Sequence, residues 1–158
     1  MAGSVDRVRQ ALRDQHHSDE IVTFPASTRT AAEAAAAVGC AVEEIAKSIL
    51  FRAGDVPVLV VASGVNRIDA AKVAALVGMP VGRPDAQWVR QVTGFAIGGV
   101  SPVGHLTPPT VLVDRDLGDL GAIWAAAGAP NAVFRTSFAD LVRISGGRIG
   151  DIREEEQP

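Results

Sequence analysis

Apolar residues recur along the chain in two periods, and most changes of period are marked by glycine or proline. Val5, Val8 and Leu12 fall at helical spacing and predict a helix over Ser4 to His16, with Ser4 as N-cap. Ile21-Val22-Thr23-Phe24 is a short strand ended by Pro25. Thr30-Ala31-Ala32-Glu33 has the form of a capping box and opens an alanine-rich helix that Gly39 closes. A helical turn follows at Val42 to Ala46, then a strand near Ser48 to Phe51. The Ala53-Gly54-Asp55 turn leads to a strongly β-branched strand, Val56 to Ala62.

The second half continues the alternation. Ile68 to Val77 predicts a helix stopped by Gly78 and Pro80, and Asp85 to Val92 another, entered through Pro84 and left through Gly94. A glycine-rich stretch then precedes a strand at Thr110 to Val113. Leu117 to Ala127 reads as a helix closed by Gly128, Ala132 to Arg135 as a strand, and Ser137 to Val142 as a final helix. Three Ala-rich runs end in glycine, but their spacing is irregular, so they are separate helices sharing one kind of stop rather than a repeat. Interleaved strands and helices with short links predict one mixed α/β domain over residues 1–152, followed by an acidic, disordered tail at 153–158.

Composition narrows the function classes. A chain of 158 residues, 47% hydrophobic and 21% charged, suits one globular domain with a core of its own. No apolar run approaches the roughly 20 residues that cross a bilayer, and Met1 to His17 lacks the apolar centre of a secretory signal. A single cysteine, Cys40, excludes an internal disulfide and offers no metal cluster. A cytoplasmic protein with no cofactor is the simplest expectation. The net charge of −3 and the absence of tyrosine argue against tight nonspecific nucleic-acid binding or a base-stacking platform. An RNA partner would be held locally, or with help from a second protein.

Thr93 to His105 holds four glycines, a proline and two hydroxyl-bearing residues between apolar segments. Gly98-x-x-x-Pro102 reads either as a connection whose glycines serve the turns, or as a preorganised set of N–H donors facing a carbonyl or developing oxyanion. Ser101 would add a hydroxyl donor. Lys47 reads either as a surface lysine paired with Glu43 at i,i+4, or as an ammonium set in a pocket at a strand entrance. Asp114 ends the Val111-Leu112-Val113 strand, where it serves as a functional carboxylate or starts the next turn, with Asp116 competing as N-cap. His105 is a general base or a solvated loop residue. Cys40 packs as a small hydrophobe, because Glu43 and Glu44 nearby do not favour a thiolate. No phosphate loop, dinucleotide fingerprint or Gly-x-Ser-x-Gly nucleophile elbow occurs.

Lys47 before an apolar strand, together with Thr93-Gly94-Phe95-x-x-Gly98-Gly99-Val100-Ser101-Pro102-Val103-Gly104, resembles the YbaK/prolyl-tRNA-synthetase-associated editing family. The likeness runs from about Thr23 to Ile152 and takes in Val111-Leu112-Val113-Asp114, Ala139-Asp140-Leu141 and Gly146-Gly147. It implies a single domain with a curved, mostly antiparallel or mixed central sheet flanked by helices. It also implies hydrolysis of amino acids wrongly esterified to tRNA, chiefly small ones such as Cys or Ala on proline tRNA, by a freestanding protein or a synthetase insertion. On that resemblance Lys47, Gly98, Gly99 and Ser101 are the catalytic residues, and Val100, Pro102, Asp114 and His105 bind substrate. The expected partners are the 3′ aminoacyl-adenosine end of misacylated tRNA and a tRNA synthetase. Backbone N–H groups from Gly98 to Ser101 would stabilise the carbonyl oxygen, and Lys47 would hold the terminal adenosine or its phosphate, or assist the carbonyl. The attacking group would be water, a ribose hydroxyl, or the side chain of a cysteinyl substrate. Ser48 follows Lys47 where many members carry Thr or Asn, and His105-Leu106-Thr107 stands where many freestanding cysteine-specific members are basic. A rival reading is a non-catalytic module that holds an aminoacyl-nucleotide-like ligand or docks on a synthetase. A third is hydrolysis of another small activated ester.

Overall fold

In the computed structural model, which describes residues 3–25, 28 and 30–155, the chain is built around an antiparallel hairpin. β2 (Ile45–Ala53) and β3 (Val56–Ser63) pair residue for residue from Ala46↔Ser63 to Ala53↔Val56. β3 reads as an unbroken apolar run because both its faces are covered. Leu59 and Val61 enter one cluster, while Val58, Val60 and Ala62 enter another on the opposite face.

Five further strands among the described residues complete a mixed sheet in the order β1-β6-β5-β2-β3-β4-β7. They are β1 (Ile21–Thr23), β4 (Thr110–Asp114), β5 (Ile123–Ala126), β6 (Ala132–Thr136) and β7 (Arg148–Gly150). β4 runs parallel to β3, and β7 parallel to β4. On the other side β5 runs parallel to β2, then β6 and β1 follow antiparallel. The structure thus has the mixed α/β single-domain architecture expected from the sequence.

Helices cover both faces. α1 (Ser4–Asp14), α4 (Ala86–Thr93) and α5 (Phe138–Ser145) bring Val8, Leu12, Val89, Leu141 and Ile144 to the larger cluster. α3 (Ala70–Val77) covers the opposite face with Val73 and Leu76. α2 (Ala31–Val38) lays Ala34 and Ala35 on Ile45, with Trp124 and Cys40 beside them. Asp69, Asp85 and Ser137 cap α3, α4 and α5 through side-chain oxygens, which satisfies N–H groups left free at helix starts.

Several expectations need correction. The predicted helix over Leu117 to Ala127 is a short 3-10 turn at Arg115–Asp119 followed by strand β5. Gly118 and Gly121 weaken a continuous helix there, and β6 and β2 supply strand partners, so pairing overrides the helix preference of Ala125 and Ala126. Asp114, not Asp116, caps that turn, accepting from the Asp116 N–H at 2.9 Å. Gly3 rather than Ser4 is the N-cap of α1, because the Ser4 hydroxyl donates to Gly128 O at 2.7 Å. The Thr30 hydroxyl does accept from Glu33 N–H, but the Glu33 carboxylate meets that hydroxyl instead of returning to the backbone. Lys47 lies inside β2 rather than after a helical turn, since the turn stops at Glu44. Arg153 to Glu155, expected in the tail, lie against α3: Glu154 N–H donates to Arg67 O, and Lys72 reaches Glu155. Residues 156–158 fall outside the described residues.

Phe134 on β6 is fully buried in the larger cluster, edge-on to His17 with ring centroids 5.8 Å apart. Phe134→Ala should lower unfolding stability by about 3–5 kcal/mol, read as a fall in the denaturant midpoint at unchanged slope. A loss under about 1 kcal/mol would mean that this core collapses around the vacancy.

Candidate functional site

The parity of β2 decides where polar groups meet. Ala46 faces β5, and Arg52 exchanges two backbone hydrogen bonds of 2.9 Å with Gly82 on the same edge. Between them β5 has already turned away, since it pairs only with Ile45 and Ala46. A cavity of about 320 Å³ occupies the parting. Lys47, Ser48, Ile49 and Leu50 form one wall, Ile97, Gly98 and Val100 another, and Ala129, Pro130 and Val133 a third. Ala31 and Ala34 of α2, and Arg83 and Pro84 before α4, complete the rim.

Lys47 and the glycine loop, 51 positions apart between Lys47 and Gly98 (98 − 47), therefore line one cavity. The Lys47 ammonium is half-buried and donates to Gly64 O at 3.4 Å; the charges that act on it are those of Asp114 and Arg67 rather than of Glu43. Burial lowers its pKa below that of an ordinary lysine; the Asp114 carboxylate works against this and the Arg67 guanidinium adds to it. Arg83 also lines the cavity, its guanidinium 5.3 Å above the Phe51 ring.

The loop residues divide by what their polar atoms do. Gly98 has φ +94°, a backbone conformation that glycine adopts without strain. Gly99 is pressed against the next turn: a Cβ there would stand 2.8 Å from Ala129 Cα. The Gly99 N–H is already given to Ala96 O at 3.0 Å, so it is not a donor to a ligand. Among the described residues, the N–H groups of Gly98, Val100 and Ser101 have no protein acceptor. Ser101 is fully buried and outside the cavity lining; its hydroxyl accepts from Val103 N–H at 3.2 Å rather than facing a ligand. Pro102 is buried and also outside the cavity lining.

His105 and Asp114 also stand off the cavity lining. His105 Nε2 lies 2.6 Å from Ser101 O, which makes it the protonated nitrogen, while Nδ1 is buried without a partner. Burial lowers its pKa, the Ser101 contact partly offsets this, and the charge of Arg7 adds to the lowering. Asp114 is buried and saturated: it accepts from Ser63 N–H at 3.0 Å, Asn66 Nδ2 at 2.7 Å and Asp116 N–H. Its reach to Lys47 is through charge.

Sequence reasoning missed Arg7. From α1 it donates to Gly94 O at 2.8 Å and Gly104 O at 3.3 Å, the two ends of the loop, and its guanidinium lies 4.9 Å above the Phe95 ring. His105 meets the same ring edge-on at 5.2 Å. No local signal marks Arg7, since its partners lie 87 and 97 residues away. Cys40 lies apart from the cavity lining, and burial with the Glu44 charge pushes its thiol pKa up. Among the described residues, no three His, Cys, Asp or Glu side chains gather to hold a metal, and no helix is long and apolar enough to cross a membrane.

The chain belongs to the aminoacyl-tRNA editing domain family, whose model it matches over residues 25–144. It is 29% identical to the uncharacterized protein YwhH of Bacillus subtilis over 147 residues, 92% of this chain and 94% of that one. It is 27% identical to the proline–tRNA ligase of Lactobacillus helveticus over 141 residues, 89% of this chain but 25% of the ligase. The solved structure of a candidate trans-editing enzyme for prolyl tRNA synthetase superposes with a TM-score of 0.92 at 42% identity, over 98% of this chain and 99% of that one.

Two measurements test this arrangement. Arg67→Gln should raise the Lys47 pKa and Asp114→Asn should lower it, as read by NMR titration of the Lys47 side chain. Because the folded pKa lies below the unfolded one, the folded protein binds fewer protons in that window and stability rises with pH across it. No response to either substitution would remove the electrostatic link. Separately, Gly99→Ala should displace the loop from Ala129, shifting the Gly98 and Val100 amide resonances while the sheet resonances stay in place.

Proposed function

We propose that the protein is a trans-acting aminoacyl-tRNA deacylase that hydrolyses the ester of misacylated tRNA, with proline tRNA carrying Cys or Ala as the substrate. The observation that carries this reading is the meeting of Lys47 with Gly98 and Val100 on one cavity of small-ligand size. An aminoacyl ester is already activated, so binding, orientation and stabilisation of charge on the carbonyl oxygen are enough to speed its cleavage. The acyl carbon–ribose oxygen bond breaks; water leaves its hydroxyl on the acyl carbon and a proton on the ribose oxygen.

In this reading the free N–H groups of Gly98 and Val100 meet the carbonyl oxygen as it gains charge. Lys47 and Arg83 place two positive charges on the lining, which suits a phosphate-bearing substrate in a protein of net charge −3. Gly99, Ser101, Pro102 and His105 shape the loop rather than touch the ester. Asp114 keeps Lys47 more cationic than burial alone would leave it. The small side chains of Ala31, Ala34, Ala126 and Ala129 leave room for a substrate while excluding water from its apolar parts. The proline-ligase and trans-editing relatives support proline tRNA as the substrate.

Incubating the purified protein with a panel of misacylated tRNAs tests the reading. Loss of the ester from Ala- or Cys-tRNA(Pro), falling by roughly 10²–10³ in Lys47→Ala with the fold intact, is the expected result. No deacylation of any species, under conditions where a known editor works, would leave a binding module.

A further inference from the structure

The open edge of β2 has its own chemistry. Its outward parity is fixed at Ala46 by β5 and at Arg52 by Gly82, so the backbone groups of Ser48 and Leu50 point to the same side. Neither residue has a backbone partner on that side among the described residues. Ser48 and Leu50 both line the cavity. Read along the strand, the wall offers donor, acceptor, donor, acceptor. The Ser48 hydroxyl oxygen is buried and, among the described residues, also has no partner. Backbone groups left without a protein partner on a strand inside a sheet are uncommon in folded proteins, and a run of them facing a cavity suits a ligand with the matching pattern.

We infer that this edge reads the base of the substrate's terminal adenosine, with Ser48 C=O accepting from the exocyclic amine and Leu50 N–H donating to N1. The inference rests on the deacylase reading for its ligand and adds the group that selects it. Adenine carries a donor beside an acceptor on one edge and is flat and apolar on its faces. The cavity matches both properties: its polar groups lie along one strand, and Ile49, Ile97, Val89 and Val133 supply apolar contact. Hypoxanthine reverses both positions, presenting an acceptor where adenine has its amine and a donor at N1. The edge thereby distinguishes two bases of the same shape.

Two experiments on the full chain separate this inference from the hydrolytic reading. In the first, adenosine monophosphate and inosine monophosphate are titrated into the isotopically labelled protein. The Ser48 and Leu50 amide resonances should move with the adenine nucleotide and stay in place with the hypoxanthine one; equal shifts, or none with either, overturn the subsite. In the second, misacylated tRNA ending in inosine is compared with tRNA ending in adenosine. The inosine end should lose roughly 5- to 150-fold in kcat/KM, mainly through KM, the range of one mismatched bidentate pair. A 7-deazaadenosine end, which keeps the read edge, should stay within about twofold on the same pairing argument. Equal turnover of adenosine and inosine ends also overturns the subsite. Adenine-selective binding without any deacylation retains the subsite and removes the hydrolytic reading.

Discussion

β2 touches β5 through two residues and then parts from it, and most of what is distinctive about this molecule follows from that parting. A strand in the middle of a sheet ordinarily satisfies both its edges over its whole length. Here the hairpin with β3 holds β2 straight across its full length while the β5–β6 turn swings away, so the backbone stays extended with one edge unsatisfied. The interval is walled by residues from distant parts of the sequence. Extended geometry also sets Lys47 and Ser48 on opposite sides of the strand, one toward the charges of Asp114 and Arg67 and the other toward the larger core.

The loop across the interval is held in shape by contacts that its glycines do not supply. Its glycines give it shape but would leave it with many conformations. Order comes from the Phe95 ring, fully buried between the guanidinium of Arg7 and the imidazole of His105. A cation over an aromatic face contributes about 0.5–2 kcal/mol, and a hydrogen bond from a charged donor about 1.5–3 kcal/mol. Arg7 makes both kinds of contact at once. Two positive-φ glycines, Gly94 and Gly104, turn the carbonyls at the loop ends toward this one side chain.

The sequence disclosed what depends on near neighbours. The β-branched run at Val56 to Ala62, the Gly54-Asp55 turn, the helices beginning near Asp85 and Ser137 and the stops at Gly39, Gly78 and Gly94 are local chemistry, and the structure keeps them. Leu117 to Ala127 was not legible, because alanine favours a helix and only distant partners draw it into a strand. β7 was invisible as well: Arg148-Ile149-Gly150 has no alternation of its own and becomes a strand by lying beside β4. At the site, resemblance singled out Lys47 and Gly98, and the structure puts both on the lining of one cavity. The inward turn of the Ser101 hydroxyl, the occupied Gly99 N–H and the role of Arg7 depend on contacts that no short window contains.

The segment shared with the editing family starts at residue 25, whereas Arg7 lies upstream of it on α1. The walls of the cavity and the clasp on its loop therefore fall on opposite sides of the edge of that match, although the solved trans-editing structure superposes on 98% of the chain. A boundary drawn where the family match begins is not a mechanical boundary: it would keep every lining side chain and discard the side chain that ties the two ends of the loop together.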